Sequence, residues 1–273
     1  MDKTTRKTLL YRGGFENTEY CLNHVEGCSH GCRYPCYAYL IKKGSGKIKD
    51  YKEWVRPKLV ENALELLDVE MIKHSGRISR VFMCFATDLF MQGYPDVWDM
   101  SLRIIDKLNA SGIPVTTLTK GIYPKELADR KMGAGKDNYF GVTTVSLDKV
   151  FKIKYEPGAA FAEARLSGLK YLKDKGFKTW VSMEPYPPPS FVRQNVKDIL
   201  EAISFVDEVA VGKLSYNKYI YEETKDLKGF YKEIYSKIRD FCRQNNINYF
   251  VPKTDRQESI KASTQLLLDL EIK

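Results

Sequence analysis

Apolar and polar positions along this chain alternate between two periods. Short apolar runs, several rich in β-branched or aromatic residues, predict strands at Val81 to Ala86, Pro114 to Leu118, Tyr139 to Val145, Thr179 to Met183 and Glu208 to Val211. A last strand is expected at Asn248 to Val251, and a first one through Cys21. Between the runs, apolar residues recur every three or four positions, as on one face of a helix. Pro57 to Met71 carries Leu59, Ala63, Leu66 and Leu67, with Ile72 extending the stripe. Asp96 to Asn109 carries Leu102, Ile105 and Leu108. Ala159 to Lys175 carries Phe161, Leu166, Leu169 and Leu172 and stops at Gly176, a helix-ending residue. Val196 to Phe205 and Phe230 to Gln244 complete the helices. Lys42 to Lys52 reads as a flexible excursion, and Pro185 to Pro189 as a stiff turn after a strand.

Repeated strand-helix alternation implies parallel strands with right-handed crossovers. Roughly six such units fit the length. The pattern leaves two architectures open, a partial (β/α)6 barrel and an open doubly wound sheet. No G-x-G-x-x-G follows the first strand, which speaks against dinucleotide binding. The whole of 1–273 reads as one α/β domain, with a core over 18–252 and a C-terminal tail at 253–273. No apolar run reaches the roughly 18 residues that span a bilayer. The start, Met1-Asp2-Lys3-Thr4-Thr5-Arg6-Lys7, leads into only a short apolar patch. A cytoplasmic protein with no membrane part is therefore expected.

Apolar residues make up 43%, too many for a disordered chain. Lys plus Arg is 44 against 35 Asp plus Glu, a net charge of +9. That charge permits attraction to nucleic acid. It is spread along the chain without a long basic block, however, so a solvated basic surface accounts for it equally well.

The candidate chemistry lies in the cysteines at 21, 28, 32, 36, 84 and 242, four of them within sixteen residues. In a reducing cytosol such clustering favours metal or redox chemistry over disulfides. The segment Gly27-Cys28-Ser29-His30-Gly31-Cys32-Arg33-Tyr34-Pro35-Cys36-Tyr37-Ala38 spaces three thiols with small or turn-forming residues. Three thiolates can hold three irons of a [4Fe–4S] cube and leave one iron open. The alternative is a zinc-stabilised nucleic-acid-binding module without catalysis, with Cys21 or His30 as fourth ligand and His24 nearby. The second ligand pair of a usual zinc knuckle is missing. Cys21 otherwise reads as core, and Cys242 as helix packing.

The same segment resembles the cluster loop of the radical S-adenosylmethionine (SAM) superfamily, C-x3-C-x2-C with an aromatic before the last Cys. Here Tyr34 is that aromatic and Pro35 follows it, making the spacing C-x3-C-x3-C. The remaining motifs come in the family's order: Thr87-Asp88 after the second strand, Thr119-Lys120 after the third, Glu156-Pro157-Gly158-Ala159 with Arg165 at the fourth helix, and Met183-Glu184-Pro185 at the fifth strand. The chain is most similar to the branch containing spore photoproduct lyase, and to the radical SAM proteins found as mobile pairs.

This resemblance implies a partial (β/α)6 TIM-like barrel, a [4Fe–4S] cluster on Cys28, Cys32 and Cys36, and SAM. Reductive cleavage of SAM would give a 5′-deoxyadenosyl radical that abstracts hydrogen from a nucleic-acid or peptide substrate. Implied partners are a reductant such as flavodoxin or ferredoxin, and a paired radical SAM protein. Thr87 and Asp88 would contact the SAM amino group, unless Asp88 caps the following helix. Thr119 and Lys120 would hold the ribose or carboxylate. Arg165 would pair with the carboxylate, and Glu156 would order the helix start or reach the ribose. Tyr34 would shield the cluster and touch adenine. Cys84 falls on the Asp88 face by period-two alternation. It is a candidate hydrogen-atom donor to a substrate radical, weighed against an inert buried thiol. Glu184, Tyr186, Lys213 and Asn217 are candidate substrate contacts. With no further Cys motif after Cys36, extra clusters are not expected.

Overall fold

The computed structural model describes residues 1–15, 18–34, 36–131, 133–215 and 226–252, so Pro35 and Asn217 lie outside the described residues. A small sheet joins β1 (Asp2–Thr4), β5 (Lys58–Val60) and β4 (Val25–Glu26) in that order. The main sheet begins with an antiparallel edge pair, β2 (Leu10–Phe15) and β3 (Thr18–Leu22). From β3 it runs strictly parallel through β6 (Val81–Met83), β7 (Val115–Thr119), β8 (Tyr139–Thr143), β9 (Lys178–Tyr186), β10 (Glu208–Lys213) and β11 (Asn248–Phe250). The helices are α1 (Tyr37–Gly44), α2 (Tyr51–Trp54), α3 (Ala63–Lys73), α4 (Pro95–Ala110), α5 (Lys149–Tyr155), α6 (Ala162–Asp174), α7 (Val196–Ala202) and α8 (Leu227–Gln244).

Burial decides between the two architectures. Alternate strand residues, among them Leu22, Val81, Met83, Val115, Val142, Val181 and Val209, share one core with Leu67, Ile104, Leu169, Ile199 and Ile238 of α3, α4, α6, α7 and α8. The intervening residues form a separate cluster of Cys21, Phe82, Trp180 and Ala210, with Leu118 and Tyr139 against it. The helices thus cover one face, and the other face closes on its own aromatic filling. A doubly wound sheet needs helices on both faces, so the chain takes the partial-barrel form. Six parallel strands match the predicted units, and β11 adds a seventh. Inside, the Trp180 indole lies where a Cβ on Gly141 would stand, 2.3 Å away. Only glycine lets that ring cross the lumen and donate from Nε1 to the Thr117 carbonyl at 3.2 Å.

Several boundaries differ from the sequence pattern. The helix expected from Pro57 begins at Ala63, because Leu59 and Val60 are drawn into β5 by Lys3 and Thr4 of β1 and by Val25 of β4. α1 follows directly on Cys36 and was not anticipated. Neither was α5, started by Asp148, whose carboxylate accepts from Phe151 N at 2.6 Å. α1 and α2 take up both ends of the Lys42 to Lys52 excursion, and β9 runs through Pro185 to Tyr186 before any turn. β6 stops at Met83 because Cys84 has φ +56, outside strand geometry.

Behind that turn, buried His24 meets Cys84 Sγ through Nδ1 at 3.3 Å and Ser101 Oγ of α4 through Nε2 at 2.9 Å. Burial lowers its pKa from 6.5 to about 4. Between these values the unfolded chain binds the proton and the folded chain does not. Stability is therefore full above pH about 6.5 and falls as pH drops toward 4, by up to about 3 kcal/mol. In urea unfolding, wild type should lose more stability from pH about 7 to about 5 than His24→Gln does. Parallel pH profiles would refute the assignment.

Candidate active site

The cysteine loop is moulded by backbone contacts. Gly27 has φ +82, and a Cβ there would lie 2.6 Å from the Trp54 carbonyl, the group that accepts from Cys28 N at 2.9 Å. On the other side runs Glu156-Pro157-Gly158-Ala159. Gly158 N donates to the His30 carbonyl at 2.9 Å, and Arg33 N to the Tyr155 carbonyl at 2.8 Å. A Cβ on Gly158 would stand 2.0 Å from the Ser29 carbonyl oxygen. Gly158→Ala should therefore displace the loop backbone and reduce metal loading while circular dichroism stays native. Full loading in that variant would show that the loop does not depend on this contact.

Cys28, Cys32 and Cys36 are free, half-buried thiols. Burial first, then the Asp88, Cys32 and Cys36 charges, push Cys28 well above its usual value; burial and the Cys32 charge push Cys36 up to about 11. Neighbouring anionic sulfurs thus disfavour ionisation of Cys28 and of Cys36, and a bound cation would favour it. Among the described residues, no three His, Cys, Asp or Glu are grouped tightly enough for one metal ion. A cube asks for a wider set, since each thiolate takes its own iron. The other nitrogen and sulfur candidates turn elsewhere. His30 faces Asp88, His24 faces Cys84, and Cys21 is in the barrel filling.

Two knots of polar side chains support the loop. In the first, Asp88 is 3% exposed. Its Oδ1 accepts from Phe90 N at 2.8 Å and Thr119 Oγ1 at 2.7 Å, and its Oδ2 from Lys120 N at 2.8 Å. His30 Nε2 lies 2.8 Å from Oδ2. Burial raises the Asp88 pKa, but His30 and the donors outweigh it and hold the carboxyl below its usual range.

The second knot centres on Glu156. Its Oε2 pairs with Arg165 Nη2 at 2.5 Å, and its Oε1 with Lys120 Nζ at 3.0 Å and with the Tyr34 hydroxyl. Lys120 Nζ also donates to Tyr34 Oη and reaches Cys32 Sγ at 3.5 Å. Arg165, 2% exposed, sends Nε to the Ala160 carbonyl at 2.8 Å and Nη1 to that of Thr143 at 2.6 Å. Burial alone would raise the Glu156 pKa; Arg165 and Lys120 bring it well below the ordinary carboxylate range. Lys120 bridges the knots, with its backbone on Asp88 and its side chain on Glu156 and Cys32.

A profile of the radical SAM superfamily matches residues 22–203, from the end of β3 to just past α7. The chain belongs to the radical SAM superfamily. The superfamily's cofactors are a [4Fe–4S] cluster and SAM. An uncharacterised protein, ORF301, of Acidianus two-tailed virus is 26% identical over 212 residues, 74% of this chain and 68% of that protein. The fold is similar to spore photoproduct lyase complexed with dinucleoside spore photoproduct, with TM-score 0.63 and 16% identity over 90% of this chain and 79% of the other. A mutant of that lyase with bound AdoMet and dinucleoside spore photoproduct gives TM-score 0.62 and 15% identity over the same shares.

For a radical SAM chain, the placement of the remaining expected residues is informative. Asp88 caps no helix, since α4 starts only at Pro95; its carboxylate closes the turn at Phe90. Asp88, Thr119, Glu156 and Arg165 are all buried, with their polar atoms engaged by neighbouring protein groups. Tyr34 is buried as well, its ring stacked on Phe151 at 6.1 Å. Thr87 is half-buried, with Oγ1 3.3 Å from Asn23 Oδ1. The alternation argument for Cys84 does not hold: with φ +56 it leaves the strand and packs toward His24 and α4, 1% exposed. Burial pushes its thiol up to about 12. Tyr186 is buried, its carbonyl held by the Tyr231 hydroxyl at 2.8 Å. Lys213 is exposed at the end of β10. Glu184 is open to solvent in a concave setting, 3.1 Å from Ser182 Oγ, and a Cβ on Gly212 would stand 2.6 Å from its Oε1. Sequence reasoning missed the bracing roles of Asn23 and His30. Asn23 Oδ1 accepts from Ala86 N at 3.2 Å, a partner no local motif announces.

Proposed function

We propose that this chain is a SAM-cleaving radical enzyme, with Cys28, Cys32 and Cys36 ligating the cluster. The observation that carries the reading is the loop itself: three free, half-buried thiols within nine residues, their backbone moulded against Gly158. When bound, cluster and SAM supply a one-electron cleavage of the sulfonium that yields methionine and a hydrogen-abstracting 5′-deoxyadenosyl radical. The chain's own residues position and shield. Lys120 sets a positive charge beside Cys32, and Glu156 and Arg165 fix where that charge stands. Asp88, His30 and Thr119 hold the loop to the ends of β6 and β7. Of the expected SAM contacts, Lys120 and Thr87 are only half-buried, and Glu184 is the carboxylate offered to a substrate.

The substrate class we favour is nucleic acid, in keeping with the net charge of +9 and with a fold that, in spore photoproduct lyase, holds a dinucleoside. The electron comes from a carrier such as flavodoxin or ferredoxin. Anaerobic reconstitution tests the proposal: about four irons per chain are expected, with 5′-deoxyadenosine formed from SAM on reduction. Stoichiometric zinc without iron would instead support the binding module. Faster 5′-deoxyadenosine formation with added DNA or RNA, and not with peptides, is expected for the favoured substrate class.

A further inference from the structure

Resting on the iron–sulfur reading above, we infer that the outer face of α5 is the docking surface for a small acidic one-electron carrier protein. The inner face of this helix is joined to the cluster loop. Phe151 stacks on Tyr34 in a cluster that also takes in Cys32, and the Tyr155 carbonyl accepts from Arg33 N at 2.8 Å. The outer face presents Val150, 71% exposed, and Ile153, 61% exposed, at the i,i+3 spacing that makes them neighbours. On the flank of the helix, Lys152 Nζ sits 4.6 Å over the ring of Phe161, itself 41% exposed. Single exposed apolar residues need no explanation; Val150 and Ile153 are instead a neighbouring pair on the helix that braces the cysteine loop.

The charges on this face select the partner. Its carboxylates are already matched: Asp148 caps the helix start, and Glu163 lies 3.5 Å from Lys149. Among the described residues, Lys152 Nζ meets the Pro157 carbonyl at 3.0 Å and the Phe161 ring at 4.6 Å, and Lys154 Nζ the Tyr155 ring at 4.9 Å, with no carboxylate paired to either. An apolar centre with a basic rim fits an acidic protein surface. A nucleic acid would gain little from covering Val150 and Ile153. One helix thickness, about 10 Å, separates this face from the loop, a short path for an electron. In the step proposed, the carrier is oxidised by one electron and the cluster is reduced by one, with no bond made or broken.

The test compares two reductants on the reconstituted protein. Anaerobic mixing with reduced flavodoxin or with dithionite is followed by loss of the cluster's visible absorbance. In Val150→Asp/Ile153→Asp, the flavodoxin rate should fall at least ten-fold while the dithionite rate stays at the wild-type value. The wild-type flavodoxin rate should also fall with added salt. Calorimetric titration of flavodoxin onto both chains needs no cluster and should show the same loss of affinity. An undiminished flavodoxin rate and affinity, equal slowing with dithionite, or flotation with anionic vesicles lost in the same variant would overturn the inference. Absence of iron from wild type would count against the cluster reading alone, and the calorimetry would still decide the surface.

Discussion

Cys32→Ala should lower bound iron from about four per chain to near none and abolish 5′-deoxyadenosine formation, while the far-ultraviolet spectrum stays native. Three thiolates hold three irons of a cube and leave one open; with one thiolate lost, two irons are unanchored and the cluster is not retained. Cys32 is half-buried, with its sulfur 3.5 Å from Lys120 Nζ and packed against the small Tyr34–Phe151 cluster, not against the main core as Cys28 is. Cys21→Ala and Cys242→Ala are the contrast. Both thiols are buried in packing, Cys21 in the barrel filling and Cys242 on α8. Those variants should cost stability, of order 1 kcal/mol or more, and keep their iron. Iron retained in Cys32→Ala, or lost in Cys21→Ala, would mean the ligand set is misassigned.

The contrast shows where the sequence was legible. The three thiols lie close together in the chain, so their chemistry could be read from spacing. Most of the parallel strands were also legible, because β6, β7, β8 and β9 carry β-branched or aromatic residues on both faces. Elements whose identity rests on remote partners were not. Leu59 and Val60 fit a helical stripe with Ala63 and Leu67, yet form a strand because β1 and β4 offer edges to pair with. α5 is short and its exposed Val150 and Ile153 blur its period. At the site, the resemblance offers Asp88 as a SAM contact or a helix cap, Glu156 as ordering a helix start or reaching the ribose, and Thr119 and Arg165 as SAM contacts. A motif shows that a residue is required; it does not show whether the residue faces the ligand or lies under it. Cys84 failed for a local reason, since one left-handed residue cancels the alternation on which its orientation was argued.

The buried charges beneath Lys120 give the second large effect. Glu156 is 3% exposed and lies between two cations, Arg165 and Lys120. Glu156→Gln leaves those cations facing each other out of water, and breaking such an arrangement costs about 3–5 kcal/mol. Lys120→Met removes a charge but leaves the Glu156–Arg165 pair balanced, so it should destabilise much less. The double variant Glu156→Gln/Lys120→Met should then recover part of the loss, because only one unmatched cation remains. A coupling energy of about 1 kcal/mol or more in the urea-unfolding cycle is expected, and strict additivity would mean the three charges do not act as a unit. The pH dependence has a fixed sign. With its carboxyl held below the unfolded value of 4.5, Glu156 contributes stability that is fully present above that pH and lost as pH falls further. Wild type and Glu156→Gln should therefore differ most near neutrality and converge in acid.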